Sequence, residues 1–276
     1  MTDLDFTKPA SDDLYDPEIA RACFESLGET IHLAKDDAFF AESEPGANLY
    51  LLQKGEVRLF RRKRVLDIVR PGEIFGEIAA ITGHPRTAWA IAITPCNALQ
   101  LNPEQFRSAL REAPEFALML LRIMINRIRV TLALLARAGK LSKRLAPVEG
   151  RVFSEKVIEE MIAALGNRPP KKVPAKKMIT REGGSGGSMY VVLSGRVAVF
   201  VNNVIIDNVG PGGVIGEIAL VDGASRAITT LAESDVTMLP VNRDDFLMLV
   251  KSSPRFAVTM LKSAADRLTR MTATSA

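Results

Sequence analysis

Two acid–arginine pairs hold the clearest chemistry in this sequence. Glu77 stands nine residues before Arg86, and Glu217 stands nine before Arg226. Around the first pair, Phe75-Gly76-Glu77-Ile78-Ala79-Ala80 opens on glycine and continues with good helix formers, so a short helix is expected to start there. A helix N-terminus offers unpaired N–H groups and the positive end of a dipole, both suited to an anion. Gly83-His84-Pro85 predicts a turn that returns Arg86 toward that helix start. A guanidinium grips phosphate oxygens in a two-pronged contact worth about 1.5–3 kcal/mol. A carboxylate is wrong for a phosphate but accepts well from a sugar hydroxyl, as acidic residues do in dinucleotide sites. One acid for ribose and one arginine for phosphate describe a nucleotide with a single phosphate.

The pairs recur because the chain repeats. At a shift of 140 positions, Gly46, Tyr50, Gly55, Val57 and Phe60 fall on Gly186, Tyr190, Gly195, Val197 and Phe200 without a gap. Asp67, Pro71 and Gly72 fall on Asp207, Pro211 and Gly212, and Gly76-Glu77-Ile78-Ala79 falls on Gly216-Glu217-Ile218-Ala219. Asn102, Phe106, Pro114 and Phe116 then meet Asn242, Phe246, Pro254 and Phe256. So long a match predicts two modules of one fold with equal loop lengths.

Each copy reads as short strands parted by turns, which predicts a β-barrel or sandwich. Met189–Leu193 and Arg196–Phe200 are strands; Asn202-Asn203 marks a tight hairpin and Pro211-Gly212 the next turn. The same register puts Arg61-Arg62-Lys63-Arg64 at a hairpin tip, as solvated charge rather than a nucleic-acid patch. Helices do the joining. Pro103 to Arg111 is a short one, and Glu115 to about Ala138 a long one with Gly139 as its stop. On the long helix Leu121, Met124, Ile125, Ile128, Leu132 and Leu135 form a wide apolar face, with Ile123, Val130 and Leu134 as a separate strip. That surface is expected to bury either against the second module or, at residues 115–138, in a homodimer seam. Val152–Leu165 predicts a further amphipathic helix, and Pro254–Met271 a last one. The expected organisation is an acidic N-terminal tail (1–15), a first domain (16–140), a linker (141–151) and a second domain (152–276).

The stretches Phe75–Ala88 and Ile215–Ile228, with the Pro-Gly turn before each, resemble the phosphate-binding cassette of cyclic-nucleotide-binding domains. That family includes the regulatory subunit of cyclic-AMP-dependent protein kinase, the bacterial catabolite activator protein and cyclic-nucleotide-gated channels. The resemblance implies two tandem jelly-roll-like β-barrels, each flanked by helices, with cAMP or cGMP as ligand. It implies that Glu77 and Glu217 hold the ribose 2′-hydroxyl and that Arg86 and Arg226 pair with the cyclic phosphate. Phe75, Gly76, Ile78, Ala79 and Ala88, with Ile215, Gly216, Ile218, Ala219 and Ile228, complete the two cassettes. Thr87 and Ala227 follow the arginines. A threonine there is associated with cyclic GMP and an alanine with cyclic AMP. The second copy departs from the pattern at Ser225, where proline is common, and at Ile228, where a small residue is common.

The rest of the sequence narrows the function. An apolar fraction of 47% with 25% charged residues is that of a soluble globular chain, and a net charge of +4 spread over 276 residues argues for no nucleic-acid partner. Cys23 and Cys96 make neither a disulfide framework nor a zinc set; they fit a reducing, cytoplasmic compartment. No run is long and apolar enough to span a membrane. With two histidines and no paired nucleophile, an enzyme is not expected, nor is a metal. Ala276 follows the last helix too closely for a helix-turn-helix, and the first 20 residues carry only Lys8 where a kinase-inhibitory segment would need an Arg-Arg pair. The expectation is a non-enzymatic receptor that regulates an unidentified protein, with a structural protein bearing vestigial pockets as the alternative.

Overall fold

A computed structural model describes residues 15–62, 64–139, 151–223 and 225–273. Most of the expected acidic tail, nearly all of the expected linker, and Lys63 lie outside the described residues. The structure divides into two compact units, residues 1–123 and 124–276.

In the first unit α1 (Pro17–Leu27) is capped by the Asp16 side chain, which accepts from the amides of Glu18 and Ile19. Eight strands follow: β1 (Glu29–Leu33), β2 (Ala38–Phe40), β3 (Leu49–Lys54), β4 (Val57–Arg61), β5 (Arg64–Val69), β6 (Ile74–Phe75), β7 (Trp89–Ala92) and β8 (Cys96–Leu101). The short α2 (Glu77–Thr82) interrupts them, and α3 (Pro103–Glu112) and α4 (Pro114–Arg137) close the series. The unit boundary falls inside α4, after Ile123.

The strands make two antiparallel sheets of four, ordered β1-β8-β3-β6 and β2-β7-β4-β5. Each sheet keeps two edges. The expected barrel is therefore a jelly-roll-like pair of open sheets, a distinction that strand patterning cannot make because closure depends on pairing between strands far apart in sequence. Between the sheets lie Phe40, Tyr50, Leu52, Val57, Phe75, Ala90, Ala92 and Cys96. Val57, Leu59 and Phe60 pair across to Val69, Asp67 and Val65, with the register slipping between Leu59 and Phe60. Such a bulge bends the strand and re-aims the side chains beyond it.

The second unit repeats the plan. After α5 (Glu155–Ala164) come β9 (Lys171–Val173), β10 (Met178–Thr180), β11 (Ser188–Ser194), β12 (Val197–Val201), β13 (Val204–Val209) and β14 (Val214–Ile215). Then follow α6 (Glu217–Asp222), β15 (Thr229–Ala232), β16 (Val236–Asn242), α7 (Arg243–Ser252) and α8 (Pro254–Ala273). Its sheets are ordered β14-β11-β16-β9 and β10-β15-β12-β13, and the bulge recurs between Val199 and Phe200. The hairpin expected at Asn202-Asn203 is there, both residues in the left-handed region at φ 48° and 62°.

The helices are fixed by the same devices twice. Asn102 and Asn242 each form a reciprocal capping box, with Gln105 and Asp245. Phe106 meets Phe116 edge to face at 6.5 Å, and Phe246 meets Phe256 likewise at 5.5 Å. On α4 the wide apolar face from Leu121 to Leu135 is buried within the single chain, while Val130 of the separate strip stays exposed.

Candidate functional site

The cassettes begin where each sheet strand ends in glycine. Gly76 has φ 81° and Gly216 φ 80°, so both cap their helices from the left-handed region that a side chain disfavours. Space demands glycine as well. A Cβ on Gly76 would come within 2.8 Å of Arg86 Nη1, and one on Gly216 would run closer still to Arg226 Nη1. Gly83 and Gly223, again left-handed, end the two short helices. The chain then runs back, and Arg86 N donates to the Glu44 carbonyl as Arg226 N does to that of Gly184.

Both arginines are buried, at 4% and 6% exposure, rather than waving in solvent. Arg86 donates through Nη1 to the Gly76 carbonyl at 3.1 Å and through Nη2 to the Asn48 carbonyl at 2.9 Å. Arg226 makes the same two bonds, to Gly216 at 2.7 Å and Ser188 at 2.5 Å. A guanidinium forked between two carbonyls has its plane fixed and keeps its third edge for another partner. That edge is empty in the first unit: Arg86 Nε is buried and has no hydrogen-bond partner. Burial pulls the Arg86 guanidinium below its ordinary basicity, against the opposing pull of Tyr50, Glu44 and Glu77. Burial does the same to Arg226, opposed by Tyr190 and Glu217. Each arginine therefore lies within electrostatic reach of the glutamate nine residues before it.

The walls differ. In the first unit the Arg86 guanidinium lies 4.1 Å from the Phe40 ring centroid and 5.7 Å from that of Tyr50. Tyr50 and Phe75 stack at 5.1 Å, and Phe39 meets Phe75 edge to face. Glu77 and Ile78 are half-buried, Ala79 and Ala88 are buried, and Thr87 is exposed. In the second unit Ile215, Gly216, Glu217, Ile218, Ala219 and Ile228 are all buried and Ala227 is half-buried. Glu217 Oε1 accepts from Arg267 Nη1 on α8, while Glu217 Oε2 is buried without a partner.

Of the expected site residues, the structure brings each arginine against its cassette glycine, Arg86 on Gly76 and Arg226 on Gly216, while Glu77 and Glu217 open the short helices that follow. Sequence reasoning missed the aromatic wall, whose Phe39 and Phe40 are replaced by Ile179 and Thr180 in the second copy. It also missed Arg267. The signal was present: 140 positions earlier stands Arg127, again an arginine. Among the described residues, no group of His, Cys, Asp or Glu is arranged to hold a metal ion, and no helix is long and apolar enough to cross a membrane.

A stretch of 111 residues is 38% identical to a cyclic nucleotide-gated potassium channel of Mesorhizobium japonicum, covering 40% of this chain and 30% of the channel. A stretch of 108 residues is 32% identical to a CRP-like cAMP-activated global transcriptional regulator of Mycobacterium tuberculosis, covering 37% of this chain and 48% of the regulator. Over 250 residues the chain is 25% identical to the cAMP-dependent protein kinase regulatory subunit of Emericella nidulans, covering 85% of this chain and 55% of the subunit. The chain thus spans about half or less of the length of these relatives. The cyclic nucleotide-binding domain family matches residues 30–113 and again residues 170–253, offset by the repeat itself. With both halves of its sequence in the family and both cassettes built alike, the chain belongs to the cyclic nucleotide-binding domain proteins.

Proposed function

We propose that this protein is a non-enzymatic receptor for cyclic AMP or cyclic GMP whose output is an altered contact with a partner protein. One observation carries the reading. Each unit buries a guanidinium, forks it between two carbonyls and keeps it within electrostatic reach of a carboxylate, and in the first unit its Nε is a buried donor without a partner. A buried donor left unpaired costs about 1–3 kcal/mol, and an arriving phosphate oxygen would remove that cost. In this reading Arg86 and Arg226 take the cyclic phosphate, and Glu77 and Glu217 take the ribose 2′-hydroxyl. The backbones of Ile78-Ala79 and Ile218-Ala219 face the phosphate, and Thr87 and Ala227 border phosphate or base. The relatives named for cAMP activation or cyclic nucleotide gating support the ligand class. A ligand acts on a partner only through its different affinity for two states, and α4 and α8 are the elements that would report the change.

The test is thermal unfolding with and without nucleotide. A ligand that binds only the folded chain raises the melting temperature by mass action. Saturating cyclic AMP or cyclic GMP is expected to raise it, and Arg86→Ala with Arg226→Ala to abolish the rise. A melting curve that neither nucleotide moves would leave the alternative of vestigial pockets.

A further inference from the structure

The β2-β7-β4-β5 sheet has one face on the core and one turned outward. Val57, Leu59, Ala90 and Ala92 pack inward, so strand alternation sends Arg58, Phe60, Trp89 and Ile91, all half-buried, to the outer face. There the Phe60 and Trp89 rings stack at 6.1 Å, and the Arg58 guanidinium lies 5.6 Å from the Phe60 centroid. Val65, opposite Phe60, is 54% exposed. β4 and β5 join through Arg61-Arg62-Lys63-Arg64, with Arg62 exposed, and Arg70 is exposed at the far end of β5. Three acids are near. Glu42 takes up Arg61 at 3.3 Å, Glu73 accepts from the Arg70 amide, and Asp67 stands opposite Leu59 and so faces inward. Arg58, Arg62 and Arg70 therefore set the sign of the outer face. β5 is also the edge strand, with one side of its backbone unpaired in the sheet.

The chain that arrives at this edge is acidic. Tyr15 Oη donates to the Gly72 carbonyl at 2.5 Å, in the turn that follows β5. Ahead of it, residues 3–14 carry Asp3, Asp5, Asp12 and Asp13 against Lys8 alone, with Leu4, Phe6 and Leu14 among them. Such a length of extended chain would reach about 40 Å, and β5 is only about 20 Å long.

The repeat supplies a control. In the second unit the chain also enters at the turn after β13, where the Val152 and Phe153 amides donate to the Gly212 carbonyl. Both halves of the match are missing there. Ala198, Thr229 and Gly210 replace Arg58, Trp89 and Arg70, and the hairpin is Val201-Asn202-Asn203-Val204. Residues 143–154 carry Lys143, Arg144 and Arg151 against Glu149 alone. Acidic segment and basic face occur together in the first copy and are lost together in the second.

We infer that the outer face of the β2-β7-β4-β5 sheet is the docking site of this chain's own residues 3–13. The aspartates meet Arg58, Arg62 and Arg70, and the apolar side chains between them meet the Phe60–Trp89 stack.

Trp89 is the one tryptophan in the sequence, so its fluorescence reads this face directly. The experiment measures acrylamide quenching of Trp89 in the full chain and in the full chain carrying Asp3→Asn, Asp5→Asn, Asp12→Asn and Asp13→Asn. Asp16 is kept because it caps α1. Quenching is expected to rise about twofold in the variant, and high salt should raise the parent to the same level while leaving the variant unchanged. Arg62→Ser with Arg70→Ser should reproduce the rise from the other side of the contact. Leu4→Ser with Phe6→Ser should do so without a change of charge. Tethering makes the contact independent of protein concentration. Equal quenching in the parent and all three variants would overturn the proposal. Protection of Trp89 that disappears on dilution would overturn it too, because the face would then belong to a second copy. So would protection by added oligothymidylate that is equal in the parent and the asparagine variant, which would make the face an open platform for single-stranded nucleic acid.

Discussion

Phe40 and Tyr50 stand against Arg86, with Phe75 stacked on Tyr50; 140 positions on, the counterparts are Thr180, Tyr190 and Ile215. The backbone device is the same in both places, down to the left-handed glycine and the two carbonyls that fork each guanidinium. What differs is which half of the site is left wanting. In the first unit the aromatic wall covers the arginine and Arg86 Nε is the buried group without a partner. In the second unit Thr180 and Thr230 satisfy each other at 2.7 Å where the first unit has Phe40 and Ala90. There the open group is Glu217 Oε2. One frame, filled differently, thus leaves a guanidinium nitrogen unpaired in the first copy and a carboxylate oxygen unpaired in the second.

The largest expected effects come from removing the arginines one at a time. Arg86→Ala should weaken binding at the first site by about a hundredfold and leave the second within about twofold, and Arg226→Ala the reverse. Calorimetry on each variant checks this, and a loss at both sites from either change would break the independence of the comparison. Next come the glycines. Gly76→Ala and Gly216→Ala both force a side chain into the left-handed region and into a guanidinium, at a cost of about 1–3 kcal/mol or about 3–10 °C in melting temperature. Gly216→Ala should cost more, since its Cβ would run closer to its guanidinium than that of Gly76 would. Equal shifts would mean that the two cassettes are not packed as differently as they look.

A smaller effect is expected from the walls. Phe40→Leu removes a cation–π contact of about 0.5–2 kcal/mol and should weaken the first site about twofold to thirtyfold. Thr180→Val, its counterpart, should leave the second site within about twofold. The smallest effect is kinetic and reads the first unit alone, because Cys23 and Cys96 have Ala163 and Val236 as counterparts. Burial, with Glu112 adding to it, pushes the Cys23 thiol up to about 11. Only the thiolate reacts, so at pH 8 about one thiol in a thousand is available and alkylation should quicken about tenfold per pH unit up to the thiol's pKa. Cyclic nucleotide should slow it further in the native chain and in Arg226→Ala, but not in Arg86→Ala.

Much of this was legible in the residues alone. The 140-residue shift revealed the two modules, Asn202-Asn203 marked a hairpin, and the Gly-Glu to Arg spacing marked the loops in which each arginine folds back on its glycine. The turns could be read because they need glycine, proline or asparagine for local backbone reasons. The open edges of the sheets could not, because they depend on pairing between distant strands. The aromatic wall escaped because Phe40 and Phe75 have no aromatic counterparts in the second copy, and a repeat shows only what it keeps. Arg267 escaped for a different reason. It is repeated at Arg127, but a lone arginine on a helix reads as solvated charge until its carboxylate is known to sit beneath it.

The central claim is that two frames built alike each hold one nucleotide, and calorimetric titration of the full chain with cyclic AMP and with cyclic GMP tests it most directly. The account predicts saturable heat from two sites, with one site lost in Arg86→Ala and the other in Arg226→Ala. Absence of heat from the unmutated chain with either nucleotide at millimolar ligand would contradict it.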